Sequence, residues 1–265
     1  MKSKKRFDLI SVFKSIVINN PNKIAINFGN NKQYTFRHLD EVSDQILQIF
    51  KKLKIKNNDI VAIDSVKNLY SFALIIACIK NHNPYSFIEI SKYNHRLLKI
   101  LKILKPKKIF TFSKKNIGNN YFLNEKSFLK IKKKYLYEKK NILKKNKIAY
   151  IMFTSGSTGD PKGVPITHDN LSFFIDWTKK TFGFSNLSVI SNLNPLHFDN
   201  SVFDIYGGLF NASTIVPFEK TELSYPEELV KKFIKTKCET WFSVPSLLNY
   251  ILEIENAKIF KNINL

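Results

Sequence analysis

Short, strongly apolar segments alternate along this chain with longer segments whose apolar residues recur every three or four positions. The short segments are typical of buried strands, and the longer ones are typical of amphipathic helices. In the first part of the chain, the predicted strands are 23–28, 60–63, 85–88 and 108–112, and the predicted helices are 7–17, 35–52, 68–80 and 94–104. Because strands that alternate with helices usually pair in parallel and are covered on both faces, the pattern predicts an α/β fold.

The alternation weakens between residues 113 and 147, where lysines become dense, and it resumes at residue 148. We interpret 113–147 as a Lys-rich connection between two lobes, 1–112 and 148–265; a solvated surface excursion is the alternative. In the second lobe, the predicted strands are 148–153, 187–191, 214–216 and 240–243, and the predicted helices are 168–182, 201–210, 226–235 and 245–254. The expected fold is α/β, with two lobes of mainly parallel sheet flanked by helices.

The net charge of +22 would by itself suggest a nucleic acid or an anionic membrane surface as partner. However, almost all the basic residues are Lys, and Lys, Asn and Ile are all abundant, as the codon bias of an AT-rich genome produces. The few Arg residues also argue against base-specific recognition, because the planar Arg side chain is the preferred reader of bases and phosphates. We therefore expect no nucleic-acid partner.

The two cysteines, Cys78 and Cys238, give neither a disulfide framework nor metal-site spacing. Cys78 lies in the apolar run 71–79, which predicts a reduced thiol in the core. The basic N-terminus does not continue as a signal peptide, since Asp8 and Lys14 interrupt the apolar stretch that follows. The apolar runs are too short for a membrane span. We expect a cytoplasmic protein without a membrane partner.

A loop rich in Gly, Ser and Thr, residues 154–163, directly follows the predicted strand 148–153. Its three glycines allow the backbone to approach a ligand closely, and successive N–H groups in such a loop form an anion-binding concavity. Lys162 adds a mobile positive charge. The loop is not a Walker motif, because Gly163 follows Lys162 where that motif has Ser or Thr. These residues indicate a phosphate site without specifying a reaction, and a generic Gly/Ser turn remains the alternative.

The segment 148–164 (IAYIMFTSGSTGDPKGV), with His168 shortly after it, resembles the signature of the adenylate-forming (AMP-binding) superfamily. That superfamily includes acyl-CoA synthetases, luciferases, D-alanine–carrier-protein ligases and the adenylation domains of nonribosomal peptide synthetases. Other segments resemble family motifs in the family's order: 34–39 (TYxEL), 79–89 (LKAGGAYVPLD, here without both glycines and the Pro before Leu-Asp), 197–209 (FDxSVxxIxxxL) and 241–248 (VPS). The 197–209 motif is closest to amino-acid adenylation domains and D-alanine–carrier-protein ligases. The resemblance covers essentially the whole chain and implies the N-terminal part of the large α/β domain.

The resemblance implies a reaction in which ATP and a carboxylic acid give an acyl-adenylate and pyrophosphate, after which the acyl group passes to a thiol. It assigns the ATP phosphates to Thr154, Ser155, Gly156, Ser157, Thr158, Gly159, Lys162 and Gly163. In the amino-acid branch it assigns Asp199 to the substrate α-ammonium group, which needs a charge partner once it leaves water. Asn200, Phe203 and Ser243 would line the side-chain pocket, and Phe198 would gate the acyl site. An acid favoured by a helix N-terminus is the alternative for Asp199, and a polar residue at a helix start is the alternative for His168.

The family's later motifs are absent from residues 1–265: the Glu that serves Mg²⁺, the Asp that holds the ribose, and the C-terminal domain with the catalytic Lys. We therefore expect a fragment or a split gene that has no catalytic residue or metal ligand of its own and does not complete adenylation alone. The implied partners are ATP with Mg²⁺, an amino acid or other carboxylate, and a phosphopantetheinyl carrier protein. Two alternatives stay open: a fragment of an acyl-CoA or aryl-CoA ligase, and an inactive truncated remnant or nucleotide-binding subunit.

Overall fold

The computed structural model describes residues 8–92, 94–114, 117–128, 131, 147–155 and 160–255. It shows a mixed α/β protein with two sheets that consist mainly of parallel strands, which confirms the predicted fold class. The chain divides into two compact units: a first unit of Met1–Val12 with His38–Phe173, and a second unit of Phe13–Arg37 with Phe174–Leu265. These units differ from the lobes 1–112 and 148–265, because the strands between residues 148 and 167 pair with the first sheet.

All the predicted helices except 201–210 begin and end within two residues of the expected positions. In chain order the helices are α1 (Leu9–Asn19), α2 (Phe36–Lys52), α3 (Leu69–Lys80), α4 (His95–Leu104), α5 (His168–Phe182), α6 (Asn200–Val202), α7 (Lys220–Leu223), α8 (Pro226–Lys235) and α9 (Pro245–Glu255), with a 3₁₀ turn at Glu125–Phe128 and a π-helix at Phe203–Gly208. The strands are β1 (Ile24–Asn27), β2 (Gln33–Thr35), β3 (Val61–Asp64), β4 (Tyr85–Ile88), β5 (Lys108–Thr111), β6 (Asn120–Phe122), β7 (Ile148–Ser155), β8 (Pro161–Thr167), β9 (Val189–Asn192) and β10 (Thr214–Pro217).

The sheet of the first unit has the strand order β6-β5-β3-β4-β7-β8 and is parallel except for β8, which runs antiparallel to β7. Strands β3 and β4 are buried along their whole length, as is typical of a parallel sheet covered on both faces. Helix α3 is also buried along almost its whole length, and the side chain of Asn68 caps its N-terminus through the backbone N–H of Ser71. Cys78 lies in this helix as a buried free thiol, which confirms the prediction.

The sheet of the second unit has the order β2-β1-β10-β9, in which β1, β10 and β9 are parallel. A turn joins β1 and β2, in which Gly29, Asn30 and Asn31 all have left-handed φ values, of 78°, 46° and 62°. The predicted strand 240–243 is wrong beyond its first residue, because only Thr240 forms a bridge, parallel to Ile190. A core cluster beside this sheet contains Phe218, Phe233 and Trp241.

The turn after α3 forms without the glycines of the family motif. His82 takes up the left-handed conformation with φ of 54°, which is less unfavourable for His, Asn and Asp than for most residues. The Asn83 side-chain amide donates to the backbone carbonyls of Lys56 (2.7 Å) and Asp59 (2.8 Å) and accepts from the Asn81 side chain (2.7 Å). Polar side chains therefore hold this turn in place of glycine flexibility.

Among the helices that the structure describes, none is long and apolar enough to cross a membrane.

Candidate functional site

The predicted phosphate loop connects two antiparallel strands. Strands β7 and β8 pair continuously from Ile148 with Thr167 to Ser155 with Pro161, so the loop is a hairpin connection. The sequence pattern predicts no strand between this loop and the helix 168–182, but β8 lies between them. The sequence of β8, PKGVPIT, conceals this strand, since two prolines and a glycine are typical of turns. Proline is tolerated here because β8 lies at the edge of the sheet.

The residues on either side of the hairpin tip are exposed. Thr154 pairs with Lys162 across the two strands, and both side chains face solvent. Within the described residues, Lys162 makes no ion pair. Gly163 lies opposite Phe153, and a Cβ at this position would come within 3.3 Å of the Phe153 ring and 3.2 Å of Ile151 Cγ2. Gly163 therefore allows close cross-strand packing. Of the other predicted phosphate ligands, Gly156, Ser157, Thr158, Gly159 and the Ser155 side chain lie outside the described part of the structure.

An ion pair between Asp160 and Lys99 joins the outgoing end of the loop to helix α4. The hydrogen bond and the charge of Lys99 lower the pKa of the Asp160 carboxyl, and the charge of His95 acts in the same direction. Helix α4 is fixed beside the hairpin, because Leu97 and Ile100 belong to a core cluster against which Phe153 packs. Sequence reasoning missed this contact, since 61 residues separate its partners.

His168 is a buried residue at the start of α5. Its ring centroid lies 6.3 Å from that of His82, with the rings in edge-to-face orientation. Neither ring nitrogen of His168 has a hydrogen-bond partner among the residues described. Burial lowers the pKa of His168 to about 4, with further lowering by His82 and Lys147 and opposition from Asp8 and Asp169. The ring is therefore neutral and part of the core, although it stands at a helix start.

We predict that His168 makes the folding stability depend on pH. Its pKa of about 4 in the folded protein lies below the ordinary histidine value of 6.5. The unfolded chain therefore binds the proton more readily than the folded protein does. The contribution of His168 to the free energy of unfolding is fully present above pH 6.5 and is lost as the pH falls towards 4. Between about pH 7.5 and about pH 5, the free energy of unfolding measured in urea should fall by roughly 2 kcal/mol more in the wild type than in His168→Phe. Equal losses in both proteins would contradict the prediction.

Asp199 lies in the second unit at the start of the short helix α6. One carboxylate oxygen, Oδ1, accepts a hydrogen bond from the backbone N–H of Asn200 at 2.9 Å. The side chain is exposed, and it makes no ion pair within the part of the chain that the structure describes. Phe198 beside it is 54% exposed, with its ring 4.6 Å from that of His197. Asp199 thus caps the start of α6, as its alternative interpretation predicts, and its carboxylate also stays accessible to a cationic group.

Helix α6 continues as a π-helix, where the sequence predicts an α-helix over 201–210. A π-turn within a helix often accompanies a functional site. Asp204 in this segment is fully buried, and its Oδ2 accepts from the side-chain amide of Asn192 on β9 at 3.0 Å. Gly208 allows the segment to approach β10, because a Cβ there would lie 2.6 Å from Ile215 Cγ2. The 3.6-residue periodicity of the sequence does not distinguish this wider turn from an α-helix.

Phe203, a predicted pocket residue, is buried in an aromatic cluster of the second unit. Its ring centroid lies 4.5 Å from that of Phe242, 5.0 Å from that of Phe182 and 5.3 Å from that of Phe184. The structure thereby places Phe203 against the chain segment that contains Ser243. Asn200, three residues before Phe203, is partly exposed.

The Ser243 side chain is held by internal hydrogen bonds. Its Oγ accepts from Trp241 Nε1 at 2.8 Å and donates to the Val244 carbonyl at 3.1 Å. The same segment is fastened beside β9, because the Asn194 side chain donates to the Phe242 carbonyl at 2.9 Å and Ser191 Oγ donates to the Thr240 carbonyl at 2.7 Å. Ser243 is therefore a fixed position in the second unit.

The two units offer complementary chemistry. The hairpin of the first unit presents the exposed ammonium group of Lys162, which suits an anion such as a phosphate. The Asp199 segment of the second unit presents a carboxylate next to aromatic rings, which suits a ligand that has an ammonium group. Across the described residues, no group of three or more His, Cys, Asp or Glu side chains could hold a metal ion.

Comparison with known proteins shows matches along nearly the whole chain. The family model described as "AMP-binding enzyme" matches residues 13–263. A D-alanine--D-alanyl carrier protein ligase of Staphylococcus epidermidis is 26% identical over 94% of this chain and 50% of its own length. An L-proline--[L-prolyl-carrier protein] ligase of Pseudomonas fluorescens is 38% identical over 42% of this chain and 22% of its own length. This chain therefore spans about half the length of the first of these relatives and less of the second.

Solved structures share the fold at lower sequence identity. The nonribosomal peptide synthetase FmoA3 superposes with a TM-score of 0.84 at 19% identity, over 98% of this chain and 28% of that one. The N-terminal subdomain of Klebsiella oxytoca NpsA superposes with a TM-score of 0.83 at 17% identity, over 95% of this chain and 66% of that one. At these identities the likeness establishes the fold and nothing finer.

Proposed function

Because the chain belongs to the AMP-binding enzyme family, we propose that it supplies the ATP-phosphate loop and the amino-acid-binding segment of a ligase. The ligase activates an amino acid as its adenylate and passes the aminoacyl group to the thiol of a carrier protein. The observation that carries the amino-acid assignment is Asp199, whose exposed carboxylate makes no ion pair among the described residues and stands in the FDxSV motif.

The β7–β8 hairpin binds the phosphates of ATP in this proposal. The substrate carboxylate attacks the α-phosphorus, the bond from that phosphorus to the bridging oxygen breaks, and pyrophosphate leaves with the bonding electrons. Lys162 is free to follow the charge that grows on the leaving phosphates, because it is exposed and makes no ion pair in the described structure. A mobile ammonium donates charge-assisted hydrogen bonds, which are stronger than those between neutral groups.

Asp199 pairs with the α-ammonium group of the amino acid, and this contact distinguishes the amino-acid branch from ligases of plain acids. A buried ammonium group without a charge partner would keep its proton only at a large cost in desolvation. Asn200, Phe203 and Ser243 form walls of the side-chain pocket, and Phe198 covers the acyl group. Phe203 and Ser243 suit this role, since aromatic packing fixes one and internal hydrogen bonds fix the other.

The thiol acceptor and Mg²⁺ are the parts of the proposal that rest on family resemblance alone. The two relatives described above are both named as carrier-protein ligases, which favours a phosphopantetheinyl carrier protein over coenzyme A as the acceptor. Mg²⁺ accompanies ATP, and we assign it no ligand among residues 1–265.

Titration of ATP into the protein tests the phosphate site. Lys162→Ala removes a charged hydrogen-bond donor, which is expected to weaken ATP binding by roughly tenfold to a hundredfold. Lys180→Ala is the matched control, because Lys180 is an exposed lysine of α5 whose ion pair with Asp176 lies within its own helix. Binding that is unchanged by Lys162→Ala, or equally weakened by both substitutions, would contradict the assignment.

A further inference from the structure

Asp160 places a negative charge beside the loop that is proposed to bind phosphate. Asp160 lies two residues before Lys162 and is exposed, at the end of the loop that joins β7 to β8. Two residues of extended chain span roughly 7 Å, a distance at which a free carboxylate would still act on a phosphate or on the Lys162 ammonium. The carboxylate would repel the phosphate, and it would also compete for the lysine.

We infer that Lys99 is a positioning residue, which binds the Asp160 carboxylate to helix α4 and thereby leaves Lys162 available to the phosphates of ATP. This inference rests on the proposed function, since it requires that the hairpin bind phosphate. No motif of the sequence assigns any role to Lys99.

Contacts on both sides of the ion pair support this role. Lys99 Nζ donates to Asp160 Oδ1, and this hydrogen bond, together with the charge of Lys99, holds the pKa of Asp160 below its ordinary value. The backbone of Lys99 is fixed, because its neighbours Leu97 and Ile100 are buried in the cluster that packs against Phe153 of β7. Lys99 therefore reaches Asp160 from a helix that is packed against the core.

The charges of Lys99 and Asp160 distinguish this role from two simpler roles for Lys99. If the ion pair served only to link α4 to the hairpin, loss of either partner would have the same effect on ligand binding. If Lys99 contacted phosphate directly, its loss would be harmful whether or not residue 160 carried a charge. In the role proposed here, Lys99 matters only while Asp160 is charged, so removal of the Asp160 charge makes Lys99 dispensable.

A double-mutant cycle that measures the affinity for ATP and for inorganic pyrophosphate tests the inference. Lys99→Ala should weaken both affinities by about threefold to tenfold, as an uncompensated unit charge near the site would. Asp160→Asn alone should bind at least as tightly as the wild type, and Lys99→Ala combined with Asp160→Asn should return to wild-type affinity. Lys99→Arg should retain the affinity, because it keeps the charge. Thermal melting of each variant verifies that it is folded.

Three results would overturn the inference: an unchanged affinity in Lys99→Ala, a double variant as weak as Lys99→Ala, or a loss in Asp160→Asn equal to that in Lys99→Ala. Lys180→Ala again serves as the control, since it removes an exposed lysine from an ion pair within α5. A wild-type protein that binds neither ATP nor pyrophosphate would refute the phosphate site itself, and the role of Lys99 would fall with it. That outcome is distinct from normal wild-type binding that is indifferent to Lys99.

Discussion

Asp199→Ala is expected to lower kcat/KM for the amino acid in ATP–pyrophosphate exchange by roughly a hundredfold to several thousandfold. The reason is that the substrate ammonium group would enter its site without a charge partner, at a cost on the order of 3–5 kcal/mol. Exchange is measured with the full-length protein. The affinity for ATP should change little, because the phosphates are assigned to the hairpin of the other unit.

The control for this substitution is Asp176→Ala, which removes a carboxylate of the same unit that pairs with Lys180 on α5. It should leave kcat/KM for the amino acid close to the wild-type value. Full activity of Asp199→Ala would remove the amino-acid assignment, and the acyl-CoA ligase alternative would take its place. An equal loss of ATP affinity in Asp199→Ala would instead indicate a general structural defect.

Lys80→Ala is expected to destabilise the fold by about 3–5 kcal/mol, because it leaves the buried carboxylate of Asp44 and the partly buried carboxylate of Asp40 without their cation. Lys80 Nζ lies 2.5 Å from Asp40 Oδ1, 2.6 Å from Asp44 Oδ1 and 2.7 Å from Ser43 Oγ, and its side chain is 2% exposed. This cluster joins the C-terminal turn of α3 to α2 within the first unit. The free energy of unfolding in urea measures the loss.

Two further variants identify the cause of that loss. Lys102→Ala removes an exposed lysine of α4 and should change the stability by less than about 0.5 kcal/mol. Lys80→Met combined with Asp40→Asn and Asp44→Asn removes all three charges and should recover much of the stability, since a neutral cluster leaves no carboxylate uncompensated. A wild-type melting curve for Lys80→Ala would show that the cluster contributes nothing.

The structure confirms the helices and strands that have a clear apolar pattern in the sequence. It differs from the prediction where that pattern is weak or misleading. Helix α3 and strands β3 and β4 follow from nearly continuous apolar runs. Strand β8 does not, because its prolines and glycine are typical of loops and only its place at the sheet edge makes a strand possible. The π-helix at Phe203–Gly208 also escapes prediction, since neither its wider turn nor the close approach of Gly208 to β10 leaves a mark in the apolar periodicity.

The sequence likewise predicts only a part of the candidate site. The motifs of the sequence indicate Lys162 and Asp199, and the accessibility of both side chains in the structure agrees with a role in binding. The contact of Lys99 with Asp160 could not be predicted, because it depends on how α4 packs beside the hairpin. The burial of His168 could not be predicted either, since a histidine at a helix start is ordinarily exposed to water.

Amino-acid-dependent ATP–pyrophosphate exchange by the complete gene product tests the proposed ligase most directly. A panel of amino acids is compared with matched acids that lack the α-ammonium group, such as alanine with propionic acid. We predict exchange with at least one amino acid and none above background with the matched plain acid. Exchange that is equally fast with the acid that lacks the ammonium group would contradict the role of Asp199, and exchange with neither class would contradict the ligase assignment.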